Sequence, residues 1–307
     1  MIDAISEKDR RLSLWHSLPQ ESLDEIEPQR LRDLGIYGGA QGIWVDKAHT
    51  ASPEIGTDGA TVAILHTGRH YPDDLSDDGV IYHYPTTSRP AGRDAAEVQA
   101  TKNAMSHNLP IFVILPGKTS QARRSLKLGW VCEFDDNNRE FLILFGGETP
   151  PTYSKAETTN DPFRLTDQAK RKSSTMMVRL GQQRFRFHVM SKYGYKCAVC
   201  DIRHPQLLKA AHICGIAEKG NNDWRNGLPL CATHHDAFDN HFFCIEPDTG
   251  ALRCKPGINP SEIGLHQTKL QPATNTPHIE ALRWRWAVTQ KEWGQEQSSA
   301  GEFNGAR

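Results

Sequence analysis

The sequence has no long apolar run. Nothing in it approaches the about 18 consecutive apolar residues of a membrane-spanning helix, so a transmembrane helix is excluded. It also lacks the basic-then-apolar order of a secretory leader, since it begins Met1-Ile2-Asp3-Ala4-Ile5-Ser6-Glu7. No charge of one sign dominates: the net charge is −1 over 307 residues, so whole-chain charge does not announce a nucleic-acid binder. Cysteine is sparse and odd in number, at seven, which argues against a disulfide framework and for metal-bound thiolates in a reducing compartment. The expected location is cytoplasmic, with no membrane partner. What remains is an ordinary globular composition, 37% hydrophobic and 24% charged, of a length that makes two domains, each able to bury its own core.

The chemistry is concentrated between residues 197 and 239. Two half-sites, Cys197-Ala-Val-Cys200 and Cys231-Ala-Thr-His234, supply four closely spaced soft donors, the set that closes a tetrahedral structural zinc site. Around them lie Ala211-His212-Ile213, Asn226-Gly227-Leu228 and His235-Asp236-Ala237-Phe238-Asp239. Their His, Asn and Asp side chains suit a harder, partly open catalytic cation. Hydrolysis of a phosphodiester needs an activated water and a cation for the developing charge. His212, ending an apolar strand-like run, is the candidate base. His235 and Asp239, at i and i+4, share one face of a helix and can grip one divalent ion. Asn226, before a glycine, either holds the loop carrying the base or joins the metal shell. Cys214 and Cys244 stand outside the x-x spacing and read as small buried residues. From 164 to 196 there are nine Lys/Arg and one acid, Asp167, a block able to meet phosphates or to form a solvated helix face.

Along the chain, residues 1–33 read as a polar helical packing arm with Leu12, Trp15 and Leu18 at helical spacing. Short strands are expected near 61–66, 80–84, 111–115, 128–134 and 140–145, with one helix over 94–106, a pattern that points to a β-barrel-like module over 34–150. A polar Pro- and Thr-containing stretch makes 151–178 the linker. Helices are expected over 181–193 and from Thr276-Pro277 to about 293, and a Gln/Ser/Gly/Ala tail at 297–307 reads as disordered. Within the first module, residues 71–84 are too acidic to bind phosphates. Two tyrosines around an aspartate nevertheless suit a pocket that stacks a planar ring and bonds its polar edge, an ordinary acidic turn with core tyrosines being the alternative.

The motif segment resembles the HNH (ββα-metal) endonuclease family through Ala211-His212-Ile213, Asn226-Gly227-Leu228-Pro229-Leu230-Cys231 and His234-His235-Asp236-Ala237-Phe238-Asp239. The resemblance implies His212 as general base, Asn226 as the middle asparagine, and His235 with Asp239 on a catalytic Mg²⁺ or other divalent cation (Mn²⁺, Ni²⁺). Cys197, Cys200, Cys231 and His234 would hold Zn²⁺. Two departures stand out: Ala211 occupies the place where many members carry an Asp or His ligand, and His234 replaces a common Cys. The upstream module resembles the SRA (SET and RING-associated) domain through Gly35-Ile36-Tyr37-Gly38-Gly39, Ala63-Ile64-Leu65-His66-Thr67-Gly68, Tyr71 to Asp74, Asp78-Gly79, Tyr82-His83-Tyr84 and Gly92-Arg93-Asp94. That implies a curved PUA-like β-barrel in which Tyr71 and Tyr84 sandwich a flipped base and Asp74 accepts from its exocyclic amine. Here Pro85 replaces the usual Thr, and one extra residue separates Asp74 from Gly79. Together the two resemble the Mcr-type, modification-dependent (type IV) restriction endonucleases. The expected protein is α+β, an SRA-like barrel followed by a zinc-stapled ββα-metal domain over 179–296. It would act on double-stranded DNA carrying 5-methyl- or 5-hydroxymethylcytosine, as a homodimer.

Overall fold

The computed structural model describes residues 3–19, 22–39, 42–66, 74–87, 90, 92–120, 122–150, 161–166, 175–271, 273 and 275–304. The chain divides into two compact units, Met1–Tyr153 and Ser154–Arg307.

The first unit is built on one mixed sheet of seven strands: β1 (Gly42–Val45), β2 (Thr61–Leu65), β3 (Leu75–Ser76), β4 (Gly79–His83), β5 (Ile111–Pro116), β6 (Arg124–Asp135) and β7 (Glu140–Phe145). They lie in the order β1-β2-β5-β6-β7-β4-β3. Only β2 and β5 pair in parallel; every other neighbouring pair is antiparallel. The central strands read Ile-Phe-Val-Ile-Leu and Phe-Leu-Ile-Leu-Phe because both faces of the sheet are covered. On one face Ile111, Val113, Phe141 and Ile143 pack with Ala104 of α4 (Arg93–Ser106). On the other, Phe112, Ile114, Leu126 and Leu128 pack with Leu12, Trp15, Leu18 and Leu31, from α1 (Ala4–Ser17), the residue after it and α2 (Pro28–Asp33). A short helix, α3 (Lys47–Thr50), follows β1. The expected barrel is not found. Among the described residues the sheet is open, with β1 and β3 at its edges, and its register shifts at Trp44/Val45 and Val131/Glu133.

The N-terminal arm packs by more than its leucines. Asp3 caps α1, accepting from the Ser6 amide at 2.7 Å. Glu7 and Arg11 are fully buried and joined at 2.6 Å, and Arg11 also donates to the carbonyls of Thr61 and Pro110. A buried charge needs such partners, although one guanidinium nitrogen, Nη2, is buried with none.

The second unit opens with α5 (Thr175–Tyr193), which starts inside the stretch expected to be linker. Then come the hairpin β8 (Leu208–His212) and β9 (Gly227–Cys231), α6 (Ala232–Asp239), the hairpin β10 (Phe243–Ile245) and β11 (Leu252–Cys254), and α7 (Ile279–Asn304). Its core joins Leu208, Ala211, Leu228, Leu230, Phe238, Phe243 and Ile245 to Leu282 of α7. Residues 161–166 of the expected linker are stitched onto this unit. Arg225 donates to the Asp161 carbonyl at 2.8 Å, Phe163 stacks on His278 at 4.0 Å, and Thr166 bridges Gly220. The tail expected to be disordered continues α7 as helix through Asn304. No described helix is long and apolar enough to cross a membrane.

Candidate active site and metal centre

β8 ends on His212 and β9 begins opposite it at Gly227, so the loop 213–226 closes the hairpin at the point where the chemistry sits. Successive strand residues face opposite sides. Ala211 is fully buried in the core across from Leu228, and His212 is turned the other way, onto α5. There its ring lies flat on Phe185, with centroids 3.7 Å apart and planes 7° from parallel. Its Nε2 is 3.0 Å from Oδ1 of Asn222. Burial pushes the imidazole below its ordinary 6.5; the Asn222 bond and the Asp239 carboxylate oppose that, and His235 adds to it. His212, His235 and Asp239 are thus close enough to act on one another's charge.

α6 begins directly after β9 with Cys231 as its N-terminal flanking residue. Consecutive helix residues point about 100° apart, so His234 and His235 cannot face the same way. His234 turns inward and is buried, whereas His235 and Asp239, one turn apart, meet at 3.3 Å on a half-exposed face. Arg285 of α7 donates to the Phe238 carbonyl at the end of α6 and lies 4.4 Å over the Phe238 ring, which steadies the turn bearing Asp239. Burial lowers this guanidinium, while the Asp239 carboxylate holds it charged.

The other face of α6 closes the thiolate cluster. One ligand atom from each of Cys197, Cys200, Cys231 and His234 lies within 4.8 Å of all the others. Cys231 Sγ is 3.1 Å from His234 Nδ1, Cys200 Sγ 3.9 Å from Cys231 Sγ, and Cys197 Sγ 3.8 Å from His234 Nδ1. Three thiols and an imidazole at that spacing fit one tetrahedral soft cation, and Nε2 of His234 is buried with no partner, which leaves Nδ1 as the coordinating atom. The Cys231 amide donates to Cys197 Sγ at 3.3 Å, the kind of contact that steadies a thiolate. The thiol of Cys231 shares its proton with Cys197, which lowers Cys197 and pushes Cys231 up to about 11. Cys214 and Cys244 are buried, as expected of small core residues, and burial raises both. Among the described residues this is the only group of three or more His, Cys, Asp or Glu side chains whose ligand atoms converge on one point. His235 and Asp239 remain a pair, consistent with Ala211 facing the core.

Asn226 departs from one of its expected roles. Its side chain is fully buried: Oδ1 accepts from the Cys214 amide, and Nδ2 donates to the carbonyls of Cys214 and Asn221, all at 2.9 Å. An amide so enclosed pins the two ends of the loop and offers nothing to a cation. It is removed from the metal shell.

In the first unit Tyr71 lies outside the described residues. Tyr84 does not stand open to stack a base. It is 7% exposed, tilted on Phe141 at 4.5 Å, and its hydroxyl donates to Asp136 at 2.9 Å, so it belongs to the sheet core, and burial raises its phenol. The alternation of β4 explains the error: Tyr82 and Tyr84 share the core side, and His83 faces the other way. His83 Nε2 lies 2.9 Å from Oδ2 of the buried Asp74, and its Nδ1 3.3 Å from Glu140. Sequence reasoning missed His83 and Glu140, together with Asn222, Phe185 and Arg285. Only strand parity around Asp74 and the Asn221-Asn222 pair, inside the loop between base and middle asparagine, carried any sign of them.

Residues 197–246 match the HNH_2 family, described as HNH endonuclease. The second unit carries an HNH endonuclease domain. The chain is a DNA endonuclease, and the HNH match covers the thiolate cluster, the hairpin and α6. Two solved structures show similarity to the chain. The modification-dependent restriction endonuclease TagI is 17% identical, over 86% of this chain and 91% of its own, with a TM-score of 0.34. The type IV phosphorothioation-dependent restriction endonuclease ScoMcrA is 11% identical, over 76% and 68%, with a TM-score of 0.26. Both scores lie below the level of a shared fold. No curated protein matches the chain.

Proposed function

We propose that the protein is a modification-dependent endonuclease that reads a modified base in double-stranded DNA with its first unit and cuts with the HNH domain of its second. The observation that carries the cutting half is the pairing of His235 and Asp239 at 3.3 Å on α6, directly after the β8–β9 hairpin whose first strand ends on His212 and beside a Cys₃His cluster. His212 takes the proton from the attacking water. His235 and Asp239 would hold a divalent cation such as Mg²⁺, which would supply positive charge against the charge that develops on the phosphate. Asn226 keeps the loop closed so that the base stays aimed at that point. Cys197, Cys200, Cys231 and His234 would hold Zn²⁺, which would fix the start of α6 and with it the register of His235 and Asp239.

The reading half is supported by the motifs around Asp74 and by the chemistry that surrounds it. A buried carboxylate beside a histidine at the end of β4 is suited to accept from the exocyclic amine of a cytosine turned out of the helix, with Tyr71 as one stacking face and the C5 substituent, methyl or hydroxymethyl, as the discriminated group. One HNH site cuts one strand, so a double-strand break in this scheme takes two copies of the chain.

The test is a cleavage panel with Mg²⁺ on duplexes that differ only in carrying cytosine, 5-methylcytosine, 5-hydroxymethylcytosine or N6-methyladenine. The expected outcome is cutting of one or both modified-cytosine duplexes and none of the unmodified one. Equal cutting of all four removes the reading half and leaves the nuclease.

A further inference from the structure

The HNH motifs name a base but not what aims it. An imidazole acts as a base through one nitrogen only, so the other must carry the proton, and the neighbour of that other nitrogen decides which tautomer is present. In this chain the neighbour is the side chain of Asn222, which belongs to none of the motif segments.

The loop around Asn222 is held by three parts of the unit: Asn226, the segment 164–166 and α5. The preceding residue, Asn221, receives Nδ2 of Asn226 on its carbonyl, and its own amide donates to the Leu165 carbonyl at 3.1 Å. Asn221 Nδ2 also donates to the Arg164 carbonyl, and Gly220 bridges Thr166, so the loop is tied on its far side to the segment 164–166. The third contact is with α5: a Cβ at Gly181 would collide with Nδ2 of Asn222, so the glycine leaves room for the amide group. Nδ2 therefore lies toward α5 and Oδ1 toward His212. Phe185, one turn further along α5, fixes the plane of the same imidazole.

We infer that Asn222 is a positioning residue for phosphodiester hydrolysis: its amide oxygen accepts from Nε2 of His212, fixes the Nε2–H tautomer and leaves Nδ1 as the nitrogen that takes the proton from water. An amide oxygen can only accept, so no other tautomer satisfies the contact. The inference rests on the reading of His212 as base. It adds a second role to the buried Asn226: by holding the Asn221 carbonyl, Asn226 holds the residue that precedes the one orienting the base.

The experiment uses the full chain as wild type, Asn222→Asp, Asn222→Leu and His212→Ala. It combines Mg²⁺-dependent nicking of plasmid DNA, modified and unmodified, with ¹⁵N-histidine spectra in which His212→Ala identifies the His212 signals. Aspartate keeps the acceptor and leucine removes it. The expected result for Asn222→Leu is a fall in kcat of about 10²- to 10³-fold, within the span that a positioned base contributes, with KM little changed. Asn222→Asp should stay within about tenfold of wild type, since an acceptor carboxylate orients a histidine in the same way. The wild-type His212 spectrum should show the proton on Nε2. A kcat for Asn222→Leu equal to wild type overturns the inference, as does an Asn222→Asp variant as slow as Asn222→Leu, which is the pattern of a packing role. Should the leucine variant fail to fold, a proton found on Nδ1 in the wild-type spectrum overturns it equally. Nicking by His212→Ala at the wild-type rate defeats the nuclease mechanism itself and is thereby told apart from a failure of Asn222 alone.

Discussion

His212 sits between a face that desolvates it and neighbours that restore its proton affinity. Phe185 covers its ring, and burial drives the imidazole below 6.5; Asn222 and Asp239 pull the other way without cancelling the shift. The sign of the pH dependence follows. A base must be unprotonated to act, so cutting should climb with pH, reach half its maximum below 6.5 and be level through neutral pH. A pH–rate profile under single-turnover conditions measures this, and a rate still climbing above pH 8 contradicts the base assignment. The same depression means that the unfolded chain binds more protons just below 6.5, so this group weakens the fold as acid is added. At this scale the sequence was readable wherever a residue's position follows from its type and spacing: the four soft side chains that converge, and His235 with Asp239 one turn apart. It was not readable where the role follows from direction. Asn226 is enclosed on all sides by backbone partners, and Tyr84 lies on the core side of β4, neither of which its neighbours in sequence decide.

Among the elements, α6 is the piece on which the site depends. It has eight residues, short for a helix that stands on its own, and has no side-chain cap at its start. Its first turn is anchored by Cys231 and His234, its last by Arg285 on the Phe238 carbonyl. Metal held by a Cys₃His set contributes folding free energy directly, on the order of 10 kcal/mol in small zinc modules. We expect one zinc per chain to survive dialysis. Stripping it with a strong chelator should unfold the second unit, read as lost tertiary signal from Trp224 and Trp293, both buried there. A zinc-free chain with an unchanged melting curve contradicts the structural role of the cluster. Helix α4 and the central strands of the first unit were legible from apolar runs and turn residues. The buried Glu7–Arg11 pair on α1 was not, because a charged pair in sequence looks the same whether it is solvated or enclosed. The segment 161–166 read as linker by composition, yet Phe163 and Leu165 supply enough apolar surface to dock it.

Across the whole molecule, the structure divides at Tyr153 and Ser154 into two units of similar length. The closure of the first unit was not visible. Strand count and turn spacing are alike for an open sheet and a barrel, and only the pairing partners of β1 and β3 distinguish them. The proposed division of labour assigns recognition to the first unit and hydrolysis to the second. It therefore predicts that the two activities can be separated by a single substitution within the second unit. The direct measurement is Mg²⁺-dependent cutting and equilibrium binding of duplex DNA containing 5-methyl- or 5-hydroxymethylcytosine by the wild type and by His212→Ala. The account predicts that His212→Ala binds as the wild type does and cuts at least about 10²-fold more slowly, the contribution expected of a general base. Wild-type protein that binds such DNA but cuts it in no divalent metal, or a His212→Ala variant that cuts at the wild-type rate, would contradict it.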